Sequence, residues 1–359
     1  MYQPKRVPVL GADGSPLMPT TPRKARLMLR DGIAVPRRNK LGVFHIQMLR
    51  PVGTAVQPMV LGVDLGGLHE GLAVASKEGV NICGQMELPA DVHKKMETRR
   101  NLRRARRHRK TPRRPQRFSN RRRNGYWLAP SQRAKVHARV NTVRELCRIY
   151  PVRRIVCEDV RHDPKIGKGA RWFSTAEVGK KATYDTFAAL APLRLATAGE
   201  TAELRERFGL SKLGGPRRPQ VFEAQAVDAC ALAMGEVGCP LGAPLFWVWR
   251  RHEFSRRSLH RQNPQRGGVR PRFGGTTNGG FFRKGDWVEV HAKVGTFRGW
   301  VCGLPTERTP KVGVEDADGH RIGQFGPRAV RLLTRSGGFS WKEGAALIPM
   351  AEARGFRAA

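Results

Sequence analysis

Short apolar runs alternate with glycine and proline along the first quarter of the chain. VPVL (7–10) and VFHIQML (43–49) each predict a strand. MVLGVDLGGLHEGLAVAS (59–76) predicts two strands joined by a glycine-rich turn, and NICGQMEL (81–88) predicts a third strand. The pattern therefore favours sheet structure in this part of the chain.

Apolar residues at helical spacing mark four further segments. Thr21 and Pro22 are residue types typical of a helix N-cap and a first helical position, and they introduce PRKARLMLRD (22–31). The same spacing predicts helices in three more stretches: residues 131–149, ETAELRERF (200–208) and VFEAQAVDACALAMGEV (221–237). RIVCEDV (154–160) predicts a short strand that ends on acids. This mixture of strands and helices indicates an α/β protein.

The C-terminal part of the chain has a different pattern. Residues 263–283 are rich in glycine and arginine. From KGDWVEVHAKV (284–294) to about residue 333, four or five short strands alternate with turns such as DADGH (316–320). Strands at this spacing are typical of a small β-barrel.

Positive charge dominates the composition and is densest in one stretch. The 359 residues carry a net charge of +38. The 25 residues from Arg99 to Arg123 include thirteen arginines and one lysine, and no acid occurs between Thr98 and Arg144. A helix charged all round has no apolar face to bury and repels itself, so this stretch needs a polyanionic partner. The candidate nucleic-acid-binding residues are Arg99, Arg100, Arg103, Arg104, Arg106, Arg107, Arg109, Arg113, Arg114, Arg117, Arg121, Arg122, Arg123 and Trp127.

Two other interpretations of this charge are weaker. Basic runs are often nuclear-localisation signals or non-specific tails, but this run lies between two segments predicted to be structured and contains aromatic residues. A membrane surface is disfavoured because no amphipathic helix pairs the charge with an apolar face. A nucleic acid is therefore the expected partner.

The remaining composition disfavours several classes of protein. No run of about 18 apolar residues is present, so no membrane span is expected. The start of the chain, MYQPKRVPVL, lacks the apolar core of a signal peptide. The six cysteines form no CxxC pair, which disfavours zinc fingers. We expect buried free thiols and a cytoplasmic location.

Acids are scarce in this chain, so three acids in apolar settings are informative. Asp64 lies within VLGVDLGG, Glu158 ends RIVCE, and Asp228 lies within EAQAVDACALA. An ionised carboxylate among core residues needs a partner, and a metal ion is one such partner. Mg²⁺ prefers carboxylates, waters and phosphate oxygens, and two such ions can promote phosphodiester cleavage. We therefore expect the three acids to converge at one edge of a sheet.

Each acid also has a structural interpretation. An aspartate beside two glycines, such as Asp64, is often a turn residue, and single acids often cap helices or pair with cations. Glu223 competes with Asp228 for the helix position, but by periodicity it lies off the face of Asp228. His69 and His162, each near a candidate acid, are weaker candidates for the site.

Six segments resemble, in order, the motifs of IscB-type proteins. They are SPLMPTTPRKARLMLRDGIAV (15–35), LGVDLGG (61–67), the arginine-rich stretch with RRPQRFSNRRRNGYWLAPS (113–131), IVCEDV (155–160), EAQAVDA (223–229) and RRSLHRQNPQRGGVRPRFGGT (256–276). GVDLGG alone also resembles the first phosphate loop of the actin and sugar-kinase ATPases. The order of all six segments favours the IscB-type family.

One missing feature narrows the resemblance. IscB-type proteins carry an HNH nuclease between the second and third RuvC motifs, and an HNH site needs histidines. Past His162, the interval from Glu158 to Asp228 contains no histidine and no cysteine. The chain therefore resembles IsrB, the HNH-less and transposon-associated relatives of IscB. TnpB-type relatives are disfavoured by the missing CxxC pairs.

The resemblance implies a fold and a domain organisation. The fold is an RNase H-like (RuvC) mixed sheet split by an arginine-rich bridge helix, with a small N-terminal PLMP domain and a small C-terminal β-barrel domain. The implied boundaries are 1–55 for the PLMP domain, 56–92 for the first RuvC-like part, 93–125 for the bridge helix and following basic loop, 126–220 for the second part, 221–255 for the third part, 256–335 for the domain that contacts a target-adjacent motif, and 336–359 for a tail.

The resemblance also implies an activity, that of an OMEGA-type RNA-guided DNA nickase. A structured guide, the ωRNA, would pair with one strand of double-stranded target DNA, and the RuvC-like site would cut the displaced strand. Asp64, Glu158 and Asp228 would hold two Mg²⁺ ions, for which Mn²⁺ can substitute. A single protein chain would act in the ribonucleoprotein, in the cytoplasm of a bacterium or archaeon and at the nucleoid when active.

One position departs from the family pattern. Related RuvC sites often have a histidine three residues before the last aspartate, where this chain has Gln225. Glutamine is not a general base at neutral pH, although it can orient water or a phosphate. Gln225 and the short interval before Asp228 leave open a non-catalytic RNA-binding protein with a degenerate RuvC-like fold. An unguided junction-resolving nuclease is a further alternative, against which the PLMP segment and the bridge helix weigh.

Overall fold

The computed structural model describes eight stretches of the chain and divides it into two compact units. The described residues are 6–107, 128–159, 175–210, 224–242, 245–252, 281–293, 295–305 and 310–345. The first unit comprises Met1–Leu88, Gln132–Arg250 and Trp341–Ala359, and the second comprises Pro89–Ser131 and Arg251–Ser340.

Within these stretches the chain forms sixteen strands and six α-helices. The strands are β1 (Val7–Leu10), β2 (Pro16–Thr20), β3 (Ala34–Arg38), β4 (Phe44–Met48), β5 (Met59–Asp64), β6 (His69–Ser76), β7 (Gly79–Glu87), β8 (Val152–Glu158), β9 (Leu193–Ala196), β10 (Leu245–Arg251), β11 (Trp287–Ala292), β12 (Gly295–Gly303), β13 (Val312–Glu315), β14 (Arg321–Phe325), β15 (Val330–Thr334) and β16 (Phe339–Ala345). The helices are α1 (Pro22–Arg30), α2 (Val92–Arg107), α3 (Pro130–Ile149), α4 (Thr175–Ala188), α5 (Ala198–Arg207) and α6 (Ala224–Val237).

The N-terminal strands form a four-stranded sheet in the order β2-β1-β4-β3. Helix α1 packs on it through Ala25, which is buried with the apolar side chains of the strands. The predicted start of α1 is confirmed, because the Thr21 side chain accepts a hydrogen bond from the Lys24 backbone N–H at 3.3 Å. Strands β1 and β4 were predicted from the sequence, whereas β2 and β3 were not.

A seven-stranded sheet is the centre of the first unit, in the order β16-β10-β7-β6-β5-β8-β9. Strands β5, β6 and β7 pair antiparallel, as the glycine-rich turn between the first two predicts. Strand β8 pairs parallel with β5 and with β9, and β10 pairs parallel with β7. The sheet is therefore mixed, which confirms the α/β class.

Helices α3 and α6 cover opposite faces of this sheet. Arg139 on α3 pairs with Glu70, whereas the backbone of α6 approaches the next residue of β6, Gly71. Because neighbouring residues of a strand point to opposite faces, the two helices must lie on opposite sides. Both helices were predicted, and α6 carries a run of fully buried apolar residues as its sequence requires.

The second unit contains a five-stranded antiparallel sheet in the order β14-β13-β12-β11-β15. A core of valines from these strands is fully buried beneath it. Buried Asp286 ties the start of the sheet to its end, because it accepts hydrogen bonds from the backbone N–H groups of Arg283 and Ser336. The predicted strands are therefore confirmed, while their closure into a barrel stays a prediction.

Several elements were not predicted from the sequence. Besides β2 and β3, these are α4, β9, β10 and β16. Strand β16 lies within 336–359, so residues 339–345 are a sheet strand and not part of a tail. The arginine-rich stretch begins as helix α2, whereas residues 108–127 lie outside the described residues, and the role of α2 as a bridge stays a prediction.

Two compositional expectations can be compared with the structure. All six cysteines are free, and four of them are buried: Cys83, Cys157, Cys230 and Cys239. Among the helices in the described stretches, none is both long and apolar enough to cross a bilayer.

Candidate metal centre

Two parallel strands bring the first two acids to one edge of the central sheet. Strand β5 ends at Asp64 and strand β8 ends at Glu158. The pairing of Val63 with Cys157 in these strands makes the two acids neighbours, one residue further along each strand. Because both strands run in the same direction, their carboxyl ends meet. The convergence expected from the sequence therefore begins in the pairing of β5 with β8.

Helix α6 lies across one face of the sheet and carries the third acid, Asp228. Two glycines in the strands beneath it allow the helix to approach the sheet closely. A Cβ atom on Gly62 would lie 2.1 Å from the Ala229 carbonyl oxygen, and one on Gly71 would lie 1.8 Å from the Gln225 carbonyl oxygen. No side chain fits at either distance, so the helix backbone rests directly on β5 and β6. Asp228 is thereby held over the ends of β5 and β8.

The three acids meet in a buried cluster. Asp64, Glu158 and Asp228 each offer a carboxylate oxygen, and these oxygens lie within 4.8 Å of one another. The acids are 5%, 8% and 0% exposed. At an effective dielectric constant near 20, each ionised pair at this separation or closer repels by at least about 3.5 kcal/mol. Buried carboxylates this close are stable only if a cation lies between them or a proton neutralises one of them.

The donor set fits Mg²⁺. All three groups are carboxylates, the hard oxygen ligands that Mg²⁺ prefers, and a few carboxylates leave room for water and phosphate oxygens. Cys157 is close by on β8, but burial and the negative charges of Glu70 and Asp64 raise the pKa of its thiol well above the ordinary value. The groups that meet in this cluster are all carboxylates, so it offers oxygen ligands.

A cation from this chain already contacts the cluster. The Arg205 guanidinium, near the end of α5, forms an ion pair with the Asp228 carboxylate and donates a hydrogen bond to Oδ1. The Asp228 side chain is fully buried, whereas that of Arg205 is 21% exposed. Sequence reasoning missed Arg205, since it occupies an ordinary position in a charged amphipathic helix.

Gln225 lies beside the loop that follows Asp64. A Cβ atom on Gly66 would lie 2.3 Å from the Gln225 side-chain nitrogen, so the amide packs directly against that loop. Gln225 is also 5% exposed, and it precedes Asp228 by about one helical turn. Of the two weaker histidine candidates, His69 begins β6 at the far end of this loop, and His162 lies outside the described residues.

Helix α3 holds the loop from the other face of the sheet. Arg139 Nη2 donates to the Gly66 carbonyl oxygen at 2.7 Å, and Lys135 Nζ donates to the Gly67 carbonyl oxygen at 2.5 Å. Arg139 Nε also donates to Glu70 Oε2 at 2.7 Å. Burial raises the pKa of Glu70 to about 7, and the positive charge of Arg139 offsets part of that rise. These three charged residues were not identified from the sequence.

The candidate nucleic-acid-binding residues divide by location. Arg99, Arg100, Arg103 and Arg104 lie on α2 with exposed side chains. Arg106 and Arg107 belong to the last turn of α2. The others lie outside the described residues: Arg109, Arg113, Arg114, Arg117, Arg121, Arg122, Arg123 and Trp127. The described part of the stretch is thus a basic, solvent-exposed helix surface.

Comparisons with known proteins give one family and two solved structures. Residues 7–177 match the sequence model of a family described as RRXRR protein. RuvC of Thermus thermophilus in complex with a Holliday junction substrate has 14% identity and a TM-score of 0.28, covering 50% of this chain and 91% of RuvC. A second Thermus thermophilus RuvC structure has 16% identity and a TM-score of 0.24, covering 50% and 96%. No curated protein matches the chain. Structural likeness at this level supports no argument about function.

Proposed function

We propose that the chain is an RNA-guided DNA endonuclease that nicks the displaced strand of duplex DNA at its three-acid centre. The observation that carries the proposal is the convergence of Asp64, Glu158 and Asp228, with carboxylate oxygens within 4.8 Å of one another. The family match over residues 7–177 and the ordered motifs support an IscB-like nuclease, and the missing HNH segment favours the IsrB type.

The cofactor of the proposed reaction is Mg²⁺, with Mn²⁺ as a substitute. The carboxylates of Asp64, Glu158 and Asp228 would hold it. Two bound ions would supply stabilisation of the attacking and leaving oxygens during phosphodiester cleavage. The three carboxylates would bind the ions and fix their positions. Because the acids are buried, bulk water would not screen the charge of the ions.

Gln225 would orient the reacting groups without taking a proton. Its amide can donate to a phosphate oxygen or accept from a water, but it does not accept a proton at neutral pH. The general base of the reaction is thus His69, His162 or a group other than a side chain, and these alternatives stay open.

The exposed arginines of α2 would hold the guide RNA and its heteroduplex with the target strand. Guanidinium groups clamp phosphates through two hydrogen bonds, and A-form duplexes are recognised through backbone and shape. A sequence-blind arginine helix suits that task. In the same scheme, residues 1–55 form the PLMP domain, and residues 256–335 contact a short duplex motif beside the target.

Plasmid nicking tests the proposal directly. The purified chain, the RNA transcribed beside its gene, Mg²⁺ and a supercoiled plasmid with the matched target are combined, and the topoisomers are separated on a gel. We expect nicked circles that require the RNA, and Asp64→Ala and Asp228→Asn should each remove them. Glu203→Gln, which changes an exposed acid on α5, should cleave as the native chain does. Linear product would contradict a single-strand nuclease.

Gln225 favours one second candidate, a non-catalytic RNA-binding protein. It predicts tight, salt-sensitive RNA binding with no cleavage in Mg²⁺ or Mn²⁺ under any guide. Gln225→His would then restore nothing, whereas in a nickase that lacks only a base it should accelerate cleavage. Comparing Gln225→His with the native chain in the same plasmid assay separates the two candidate functions.

A further inference from the structure

We propose that Arg205 is an internal counter-ion of the three-acid centre, which holds Asp228 in the ion-free state and is displaced when divalent cations bind. This inference rests on the proposed function, because it concerns the same acids. It assigns to Arg205 the role of a positioning residue and predicts that cation binding competes with it.

The position of Arg205 is fixed by packing. Its neighbour Leu204 lies against α6, where a Cβ atom on Gly235 would be 2.6 Å from the Leu204 side chain. Leu204 also packs against the buried cluster that includes Val227 and Ala229, the residues flanking the third acid. Helix α5 is thereby docked on α6 with Arg205 opposite Asp228. The ion pair is thus built into the packing of the two helices.

The charge balance requires such a counter-ion when no metal is bound. Asp228 is fully buried and lies close to two other buried carboxylates. A buried carboxylate without a cation is costly, and one guanidinium lowers that cost without neutralising all three acids. The residual negative charge still attracts divalent cations.

The same balance drives the guanidinium away once ions are bound. Two divalent cations overcompensate three carboxylates, so the guanidinium would then face net positive charge. The Asp228 carboxylate that accepts its hydrogen bond is also one of the three groups that could ligate an ion. The Arg205 side chain is partly exposed, so it can leave toward solvent without unfolding the helix.

Ion binding in the absence of nucleic acid tests the inference. The full-length chain is titrated with Mn²⁺ and free Mn²⁺ is followed by electron paramagnetic resonance. Arg205→Gln should bind Mn²⁺ roughly tenfold more tightly than the native chain, since a charge-assisted hydrogen bond no longer competes for Asp228. Arg207→Gln, an exposed arginine two residues further on α5, should bind as the native chain does.

Thermal unfolding with and without ions distinguishes this role from a purely structural one. Arg205→Gln should lower the Tm in EDTA, and saturating Mn²⁺ should restore most of the loss, because the ion replaces the missing cation. Arg205→Lys should behave closer to the native chain in both conditions. If Arg205→Gln lost the same Tm in EDTA and in Mn²⁺ and its Mn²⁺ affinity were unchanged, the role of Arg205 as a counter-ion would be overturned while the proposed function would stand. The proposed function requires saturable Mn²⁺ binding that Asp64→Ala weakens. If the native chain showed no such binding, the proposed function would be overturned as well.

Discussion

At the scale of single residues, the glycines beneath α6 set the position of the third acid. A Cβ atom on Gly71 would lie 1.8 Å from the Gln225 carbonyl oxygen and 2.8 Å from the Ala226 backbone nitrogen. Both neighbours are helix backbone, which cannot rotate away as a flexible side chain would. The spacing of α6 from the sheet therefore depends on the absence of a side chain at this position.

Gly71→Ala should lower the free energy of unfolding and weaken Mn²⁺ binding together. Overpacking a core costs about 1–3 kcal/mol, and contact with backbone favours the upper part of that range. Gly67→Ala is the matched control, because a Cβ atom there meets nothing within 4 Å. Urea unfolding in EDTA and Mn²⁺ titration would measure both effects. A Gly71→Ala variant as stable as Gly67→Ala would contradict the close packing of α6.

Glu70 gives the stability of the chain a pH dependence. Its pKa rises from an ordinary value of 4.5 to about 7 in the folded state. The folded state therefore holds the Glu70 proton more tightly than the unfolded state, so the contribution of Glu70 to stability is greatest below pH 4.5 and falls as pH rises toward 7. The full shift corresponds to a loss of at most about 3.4 kcal/mol.

Glu70→Gln should remove that dependence. The variant keeps a neutral side chain beside Arg139 at every pH and does not titrate, so the gap in unfolding free energy between it and the native chain should narrow between pH 4.5 and 7.5. Glu203→Gln should show a constant gap over the same range, because Glu203 is exposed. A Glu70→Gln gap that widens with pH would show that Arg139 holds Glu70 ionised throughout.

The sequence predicted the acids of the centre but not the cations around them. Asp64, Glu158 and Asp228 stand out because each is an acid in an apolar segment of a basic chain. Arg205 and Arg139 are arginines among many, and only tertiary packing shows which of them faces a carboxylate. Charge pairing across a fold depends on distances that local patterns do not encode.

At the scale of elements, helix α3 acts as a support for the loop between β5 and β6. Arg139 contacts both Glu70 and the Gly66 carbonyl oxygen, and Lys135 contacts the next carbonyl, that of Gly67. This loop follows Asp64 directly and packs against Gln225. The orientation of the candidate site on one face of the sheet thus depends on a helix on the other face.

Arg139→Lys should loosen the loop while keeping the charge. A single ammonium group does not reproduce the forked geometry that reaches Glu70 and Gly66 together. We expect a loss of about 1–2 kcal/mol in unfolding free energy and a several-fold weaker affinity for Mn²⁺. Arg133→Lys, an exposed position on α3, should change neither quantity. Stability loss with unchanged Mn²⁺ affinity would mean that the helix supports the fold and not the site.

Local patterns predicted the elements that carry the site better than the edges of the sheet. Strands β5, β6, β7 and β8 were predicted because turns or acids bound their apolar runs. The edge strand β9, four residues long, and β16, which joins the sheet far along the chain, were not. Short strands are defined by the partners they pair with, and those partners are distant in the sequence.

At the scale of the whole molecule, the net charge of +38 predicts binding that depends steeply on salt. If about ten phosphates are neutralised, the slope of log K against log salt should be near −9 for a duplex-like ligand. Net charge alone does not identify the surface that makes these contacts. That surface can be identified by removing the same number of charges from two different surfaces and comparing the salt dependence of binding.

Replacing Arg99, Arg100, Arg103 and Arg104 of α2 with alanine should flatten that slope by about 3 to 4, because each phosphate-contacting arginine contributes close to one. The matched control replaces four exposed cations of α1, which are Arg23, Lys24, Arg26 and Arg30. Filter binding of the guide RNA from low to high salt measures both slopes. Because the two variants have the same net charge, a long-range field would change the slopes equally, whereas direct phosphate contact by α2 requires the larger change in the α2 variant. Equal slopes would therefore contradict a nucleic-acid interface on α2.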